Sequence, residues 1–208
     1  MNLERPQSDE HSPYFSKYID RVPDGEITQM LEVEFERDFA ALAGLTAQQA
    51  HHRYAPDKWS VLQVIGHLSD SERVFAYRAL RFARGDEMPL AGFDEATWMR
   101  SVDFDSRELP SLLEEWRSVR AASLSLYKHL EPAAWLRRGP AAGSTTSVRA
   151  LAYKTLGHEL HHRELLQTRY NLEMLSGTVL WLLEAGAFSS NPNRAADQPV
   201  LRSPAAIP

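Results

Sequence analysis

The chain has 208 residues, 43% of them apolar and 25% charged, an ordinary composition for a globular protein that can bury a core without covalent staples. It has no cysteine, which excludes disulfides, thiolate metal sites and a cysteine nucleophile; any metal must be held by His, Asp or Glu. A net charge of −5, with no basic run longer than Arg137-Arg138, leaves no electrostatic footprint for nucleic acid.

The N-terminal stretch MNLERPQSDEHSPYF is polar and lacks the apolar core of a secretion signal, and no apolar run approaches transmembrane length. With the lack of cysteine, this leads to the expectation of a cytoplasmic protein that engages neither nucleic acid nor membranes.

Residues 1–24 carry Pro6, Pro13 and Pro23 without periodicity and read as an extended arm packed through Tyr14, Phe15 and Tyr18. From Gly25 the apolar residues Ile27, Met30, Leu31, Phe35, Phe39 and Leu42 recur at three- and four-residue steps, which predicts a helix ended by Gly44. A connection over 45–59 leads to Ser60-Val61-Leu62-Gln63, which has the form of a capping box. The second helix then runs through Val64, Ile65, Leu68, Phe75, Ala79 and Phe82 to Gly85.

Residues 86–104 are irregular, with Phe93, Trp98 and Met99 able to pack down on the body of the protein. A third helix, starting near Asp105 or just before Pro110, carries Leu112, Leu113, Trp116, Val119, Leu124 and Tyr127 and ends at Pro132. Gly139, Pro140 and Gly143 mark 133–147 as a loop or short hairpin, and Thr146 or Ser147 caps a fourth helix carrying Leu151, Leu156, Leu165 and Leu166. Val179-Leu180-Trp181-Leu182-Leu183 reads as an apolar segment covering the bundle, and the last twenty residues as a tail.

Four amphipathic helices predict an all-α four-helix bundle. Connections this long imply crossovers or small elements within them. The chain is expected to be one domain: an arm (1–24), a bundle (25–172) and a C-terminal covering segment with tail (173–208).

Two stretches carry chemistry. In Gly157-His158-Glu159-Leu160-His161-His162 the residues His158 and His162 are four apart, so on a helix both imidazoles leave one face and can bind one cation. In Gly66-His67-Leu68-Ser69-Asp70, His67 lies on a helix side of mixed character, as expected where a polar site interrupts a core. Together they make His67, His158 and His162 a candidate three-histidine site for a divalent transition metal (Zn, Ni, Fe or Co), leaving coordination positions for water or substrate.

The competing reading of the His158–His162 pair is a solvated histidine cluster, and a lone histidine at 67 would ordinarily be a hydrogen-bonded core residue. His161 projects about 100° away from its neighbour and reads as a surface or supporting residue. Residues 158–162 also match H-E-x-x-H, which in a zinc peptidase makes Glu159 the general base, with a third ligand downstream such as Glu184. The chain offers no upstream strand series to cradle a peptide.

The run Asp57-Lys58-Trp59-Ser60-Val61 leading into Gly66-His67-Leu68-Ser69-Asp70-Ser71-Glu72, completed by the His158–His162 helix with Gln167 and Tyr170, resembles the DinB-like family, which includes the YfiT-type metal-dependent hydrolases. The resemblance spans residues 25–172 and implies a four-helix bundle, often a homodimer, whose metal is held by one histidine on the second helix and two on the fourth. Carried over by position, these are His67, His158 and His162. It also implies a small-molecule substrate, with hydrolysis or transfer of a low-molecular-weight thiol as the chemistry. A non-catalytic metal-binding stress-response bundle is the alternative, and the H-E-x-x-H peptidase a third.

Asp70, on the histidine side of its helix, and Glu159 are the candidates for a catalytic acid or base, with no firm assignment of either. Trp59 reads first as a core anchor at the entry to its helix, with the pocket mouth as the other role. Arg78, Arg81 and Arg84 read as solvent-facing helix charges rather than an anion site.

Overall fold

The computed structural model describes residues 3–174. Four long helices dominate it: α1 (Ile27–Ala43), α2 (Val61–Ala83), α3 (Leu109–Lys128) and α4 (Val148–Thr168). Local chemistry sets their ends. Ser60 Oγ accepts from the Gln63 amide at 3.1 Å while Gln63 Oε1 accepts from the Ser60 amide at 3.0 Å, the expected capping box at the head of α2. Ser147, not Thr146, caps α4, its Oγ accepting from the Ala150 amide at 3.0 Å. Pro110 sits in the first turn of α3, where its missing N–H removes no helical bond. Asp105 belongs instead to a separate turn, Phe104–Ser106, bound to Arg53 and to the Ser60 hydroxyl.

Both α1 and α2 pack against α3 and against α4. Consecutive helices, α1 with α2 and α3 with α4, therefore face each other across diagonals of the bundle. That arrangement requires long connections, and they carry small elements as expected. Residues 129–147 hold a hairpin of β1 (Arg138–Ala141) and β2 (Ser144–Ser147), with Arg138 opposite Ser147. Its turn residues Ala142 and Gly143 both have positive φ, 51° and 77°, the conformation that suits a two-residue hairpin. Leu90 adds to this edge by bonding Pro140 and Ala142 at 2.9 Å each.

The N-terminal arm is a correction to the sequence reading. It is not extended but coils into three short turns, Ser8–Glu10, Pro13–Phe15 and Ser16–Ile19, each too brief to leave a periodic signal. Ile19 and Val22 are almost fully buried in the core. Gly157 of α4 permits this seating, because a Cβ there would lie 2.1 Å from the Tyr18 carbonyl oxygen. Arg5 ties the segment down through the carbonyls of Ile19 and Val22 at 2.7 and 2.6 Å.

The core has two apolar halves. One holds Leu31, Phe75, Phe82, Tyr127 and Leu156, and the other Phe35, Ile65, Leu112, Trp116 and Leu166. At the level where they meet, Arg120 of α3 donates to both oxygens of Glu72 (2.8 and 2.9 Å), to Glu159 (2.7 Å) and to the Leu31 carbonyl (2.6 Å). This hub links all four helices. The segment Val179–Leu183, Glu184 and the tail lie outside the described residues.

Candidate metal centre

The cap at Ser60 and the cap at Ser147 fix the phases of α2 and α4, and the packing of these helices brings their histidines together. His67 Nε2 lies 3.0 Å from His158 Nε2, and His162 Nε2 lies 3.1 Å from the same atom. All three residues are buried, at 7–8% exposure. One nitrogen facing two others cannot satisfy both with a single proton, so the cluster is a concentration of lone pairs. Tetrahedral zinc with Zn–N bonds of about 2.0–2.1 Å separates its nitrogens by roughly 3.3 Å, so the observed spacing fits a cation at the centre.

The electrostatics agree. Burial lowers the His67 pKa to about 4. Burial, reinforced by the neighbouring imidazoles, pushes His158 and His162 well below the ordinary histidine value. All three rings are therefore neutral at physiological pH, the form that binds a metal. His162 Nδ1 is buried without a hydrogen-bond partner among the described residues, so the tautomer of that ring is left to be set by whatever its Nε2 face binds.

The cluster forms part of the wall of a cavity of about 370 Å³. Tyr14, Phe15 and Tyr18 of the N-terminal segment build one side, Phe93 and Glu95 of the 84–108 connection another, and α2 contributes a stripe of His67, Ser71, Phe75 and Arg78. Trp59 stands at this cavity with its ring 4.8 Å from His67, half-buried, and its carbonyl accepts from the Tyr170 hydroxyl at 2.7 Å. It is thus both helix anchor and pocket wall. His161 also borders the cavity but packs against Tyr18, at 5.3 Å between ring centres, and stays out of the nitrogen cluster. Met99 is buried, whereas Trp98 is 40% exposed and packs on Phe93.

The two carboxylates expected near the site do not line the cavity. Asp70 pairs with Arg73 at 3.3 Å, and Glu159 turns into the Arg120 hub at 1% exposure. Burial raises the pKa of both. Arg78 departs most from its sequence reading: it is 4% exposed and lines the cavity, while Arg81 pairs with Asp86 and Arg84 is exposed. The signal was present in the spacing, since 67, 71, 75 and 78 fall on one helical face. Lys154, also buried, was missed for the same reason: it lies one turn before His158 on the same face of α4.

A four-helix bundle with diagonal connections, carrying a buried three-histidine cluster at a cavity, is the class that fold and site define. A family model described as the DinB superfamily matches residues 30–166, and the chain belongs to that superfamily. Over 87 residues it is 34% identical to a protein of Geobacillus thermodenitrificans (strain NG80-2) named "Putative metal-dependent hydrolase", a match covering 41% of this chain and 49% of that one. The matched region thus spans about half the length of that curated relative. The fold is similar to that of YfiT from Bacillus subtilis, described as a probable metal-dependent hydrolase with an unusual four-helix bundle topology. That similarity has a TM-score of 0.63 at 19% identity and covers 82% of this chain and 95% of YfiT.

Proposed function

We propose that this protein is a metal-dependent enzyme acting on a small molecule, with a divalent transition metal (zinc, nickel or iron) held by His67, His158 and His162. The observation that carries the reading is the convergence of three buried, neutral imidazoles on the wall of a cavity of small-molecule size. When bound, the metal supplies Lewis acidity at the positions that three imidazoles leave open.

The chain's own residues supply the rest. The Arg120 hub fixes α4, and with it the register of His158 and His162, relative to α2. The aromatic side chains of Tyr14, Phe15, Phe75 and Phe93 line the cavity and offer apolar contact to a substrate. Hydrolysis is the favoured reaction class, supported by the names of the relatives. Transfer of a low-molecular-weight thiol is the second, since a cysteine-free chain must take its sulfur from a substrate. A peptidase using Glu159 as base gains no support, because that carboxylate faces Arg120. By family resemblance the working form is a cytoplasmic homodimer.

The test is metal analysis of protein purified without a nickel column. Wild type and His161→Ala are expected to carry about one metal per chain, and His67→Ala, His158→Ala and His162→Ala close to none. Undiminished metal in His67→Ala would remove the three-histidine site. Metal-loaded protein assayed on esters and amides, with and without an added small thiol, then separates hydrolysis from transfer.

A further inference from the structure

Three arginines are buried among the described residues, and two have carboxylates beside them: Arg120 has Glu72 and Glu159, and Arg149 has Glu10. Arg78 has none. Its one hydrogen bond runs from a terminal guanidinium nitrogen to the Ala91 carbonyl at 2.8 Å, and its guanidinium carbon sits 5.9 Å from the centre of the Phe93 ring. A second buried cation accompanies it. Lys154 is 3% exposed, donates to the Thr146 hydroxyl at 3.2 Å and lies 3.9 Å from the centre of the Phe15 ring, again with no carboxylate partner among the described residues. Burial and the nearby charge of Arg78 lower its pKa to about 7. Glu95 is the single acid lining the cavity; it is exposed and pairs with neither cation.

An unpaired buried cation costs several kcal/mol, so such groups stand where something compensates them. Arg78 lines the same cavity as the histidines, and Lys154 lies behind Phe15. On α2, Arg78 is three turns from His67, and on α4, Lys154 is one turn from His158. The histidines therefore occupy one end of the cavity and the positive charge another, with Phe15, Phe75 and Phe93 between or beside them. We infer that Arg78, supported by Lys154, is the subsite for an oxyanionic group of the substrate, a carboxylate or a phosphate, carried several bonds away from the reacting centre on an apolar body. This deepens the proposed function and rests on it for the word substrate, while the anion subsite itself needs no metal.

The geometry favours this class for physical reasons. A guanidinium presents a planar fork that matches two oxygens of a carboxylate or phosphate. In a cavity walled by aromatic rings the attraction is screened less than in water. A neutral substrate would leave the Arg78 guanidinium without a counter-charge.

Binding of 4-phenylbutyrate, 4-phenylbutyl phosphate and neutral 4-phenylbutyramide, measured by saturation-transfer NMR on zinc-loaded and on metal-stripped protein, tests the subsite. In metal-stripped wild type one of the two anions is expected to bind at least tenfold more tightly than the amide, and which one does identifies the oxyanion. Arg78→Gln should lose that preference while keeping its amide binding and its metal content, and Arg78→Lys should retain part of it. Equal binding of anions and amide by metal-stripped wild type would overturn the inference, as would a preference that survives in the Arg78→Gln/Lys154→Met double variant. If the three-histidine site fails its own metal test, the anion preference of stripped protein still decides this inference separately.

Discussion

The carbonyl oxygen of Tyr18 lies where a Cβ on residue 157 would be, 2.1 Å from that position, so the N-terminal segment and α4 meet backbone against backbone. Gly157 is the middle residue between Lys154 and Leu160, one place before the first histidine of α4, and the contact sets how closely the aromatic wall approaches the cluster. In Gly157→Ala the segment must move, at a cost of about 1–3 kcal/mol for an overpacked contact. Thermal unfolding should show the loss together with weaker binding of 4-phenylbutyramide. An unchanged melting temperature would mean that the segment is not seated there.

Arg120 pairs with two buried acids, Glu72 and Glu159. Arg120→Met leaves Glu72 and Glu159 buried with their partner gone, which should cost about 3–5 kcal/mol in chemical denaturation. Adding Glu72→Gln and Glu159→Gln to it should restore part of that stability. Glu159→Gln alone keeps an acceptor for Arg120 and should cost only about 1–2 kcal/mol, with metal content unchanged. Loss of metal in that single variant would place Glu159 in the site after all.

Acid should loosen the N-terminal segment at a defined contact. Burial raises the Glu10 pKa, but hydrogen bonds from Arg149, Ser147 and the Gln7 amide outweigh it and bring it down from 4.5 to about 2. A carboxylate whose folded pKa lies below its unfolded value contributes its full stability above the unfolded pKa of 4.5 and loses it as pH falls towards 2. The melting temperature of wild type should therefore exceed that of Glu10→Gln at pH 6, and the gap should close between about pH 4.5 and 2. A gap that stays constant over this range would sink the assignment.

The three histidines are positioned by helices with their own caps and core, so the protein should fold without metal. Chelation removes only the mass-action term, about 2.7 kcal/mol for free metal at one hundred times its dissociation constant. At roughly 2–4 °C per kcal/mol for a domain of this size, the melting temperature should fall by about 5–10 °C with the helical circular dichroism retained. A chelated protein that loses its helices would mark the metal as structural.

The helices and the histidine cluster were legible because their signals are local. The Ser60–Gln63 box, the Pro110 entry and the glycines at 44 and 85 are each read within one turn, and His158 with His162 needs only the helical period. What escaped depends on partners distant in sequence. The face of α2 bearing His67, Ser71, Phe75 and Arg78 is visible as a face, but only the N-terminal segment and the 84–108 connection make it a cavity wall, and neither has a period of its own. The diagonal order of the helices likewise follows from packing, and so does the Arg120 hub, whose members come from all four long helices. Asp70 was drawn towards the site by its helix side, yet Arg73 three residues on holds it away.

The cavity wall has a mixed ancestry within the chain. Its nitrogen cluster belongs to the two most closely packed helices, where a small change would disturb the core. The facing surface comes from residues 14–18 and 93–95, outside the four long helices. Substitutions in those short stretches would therefore reshape the cavity while leaving the three histidines in the positions that the core gives them.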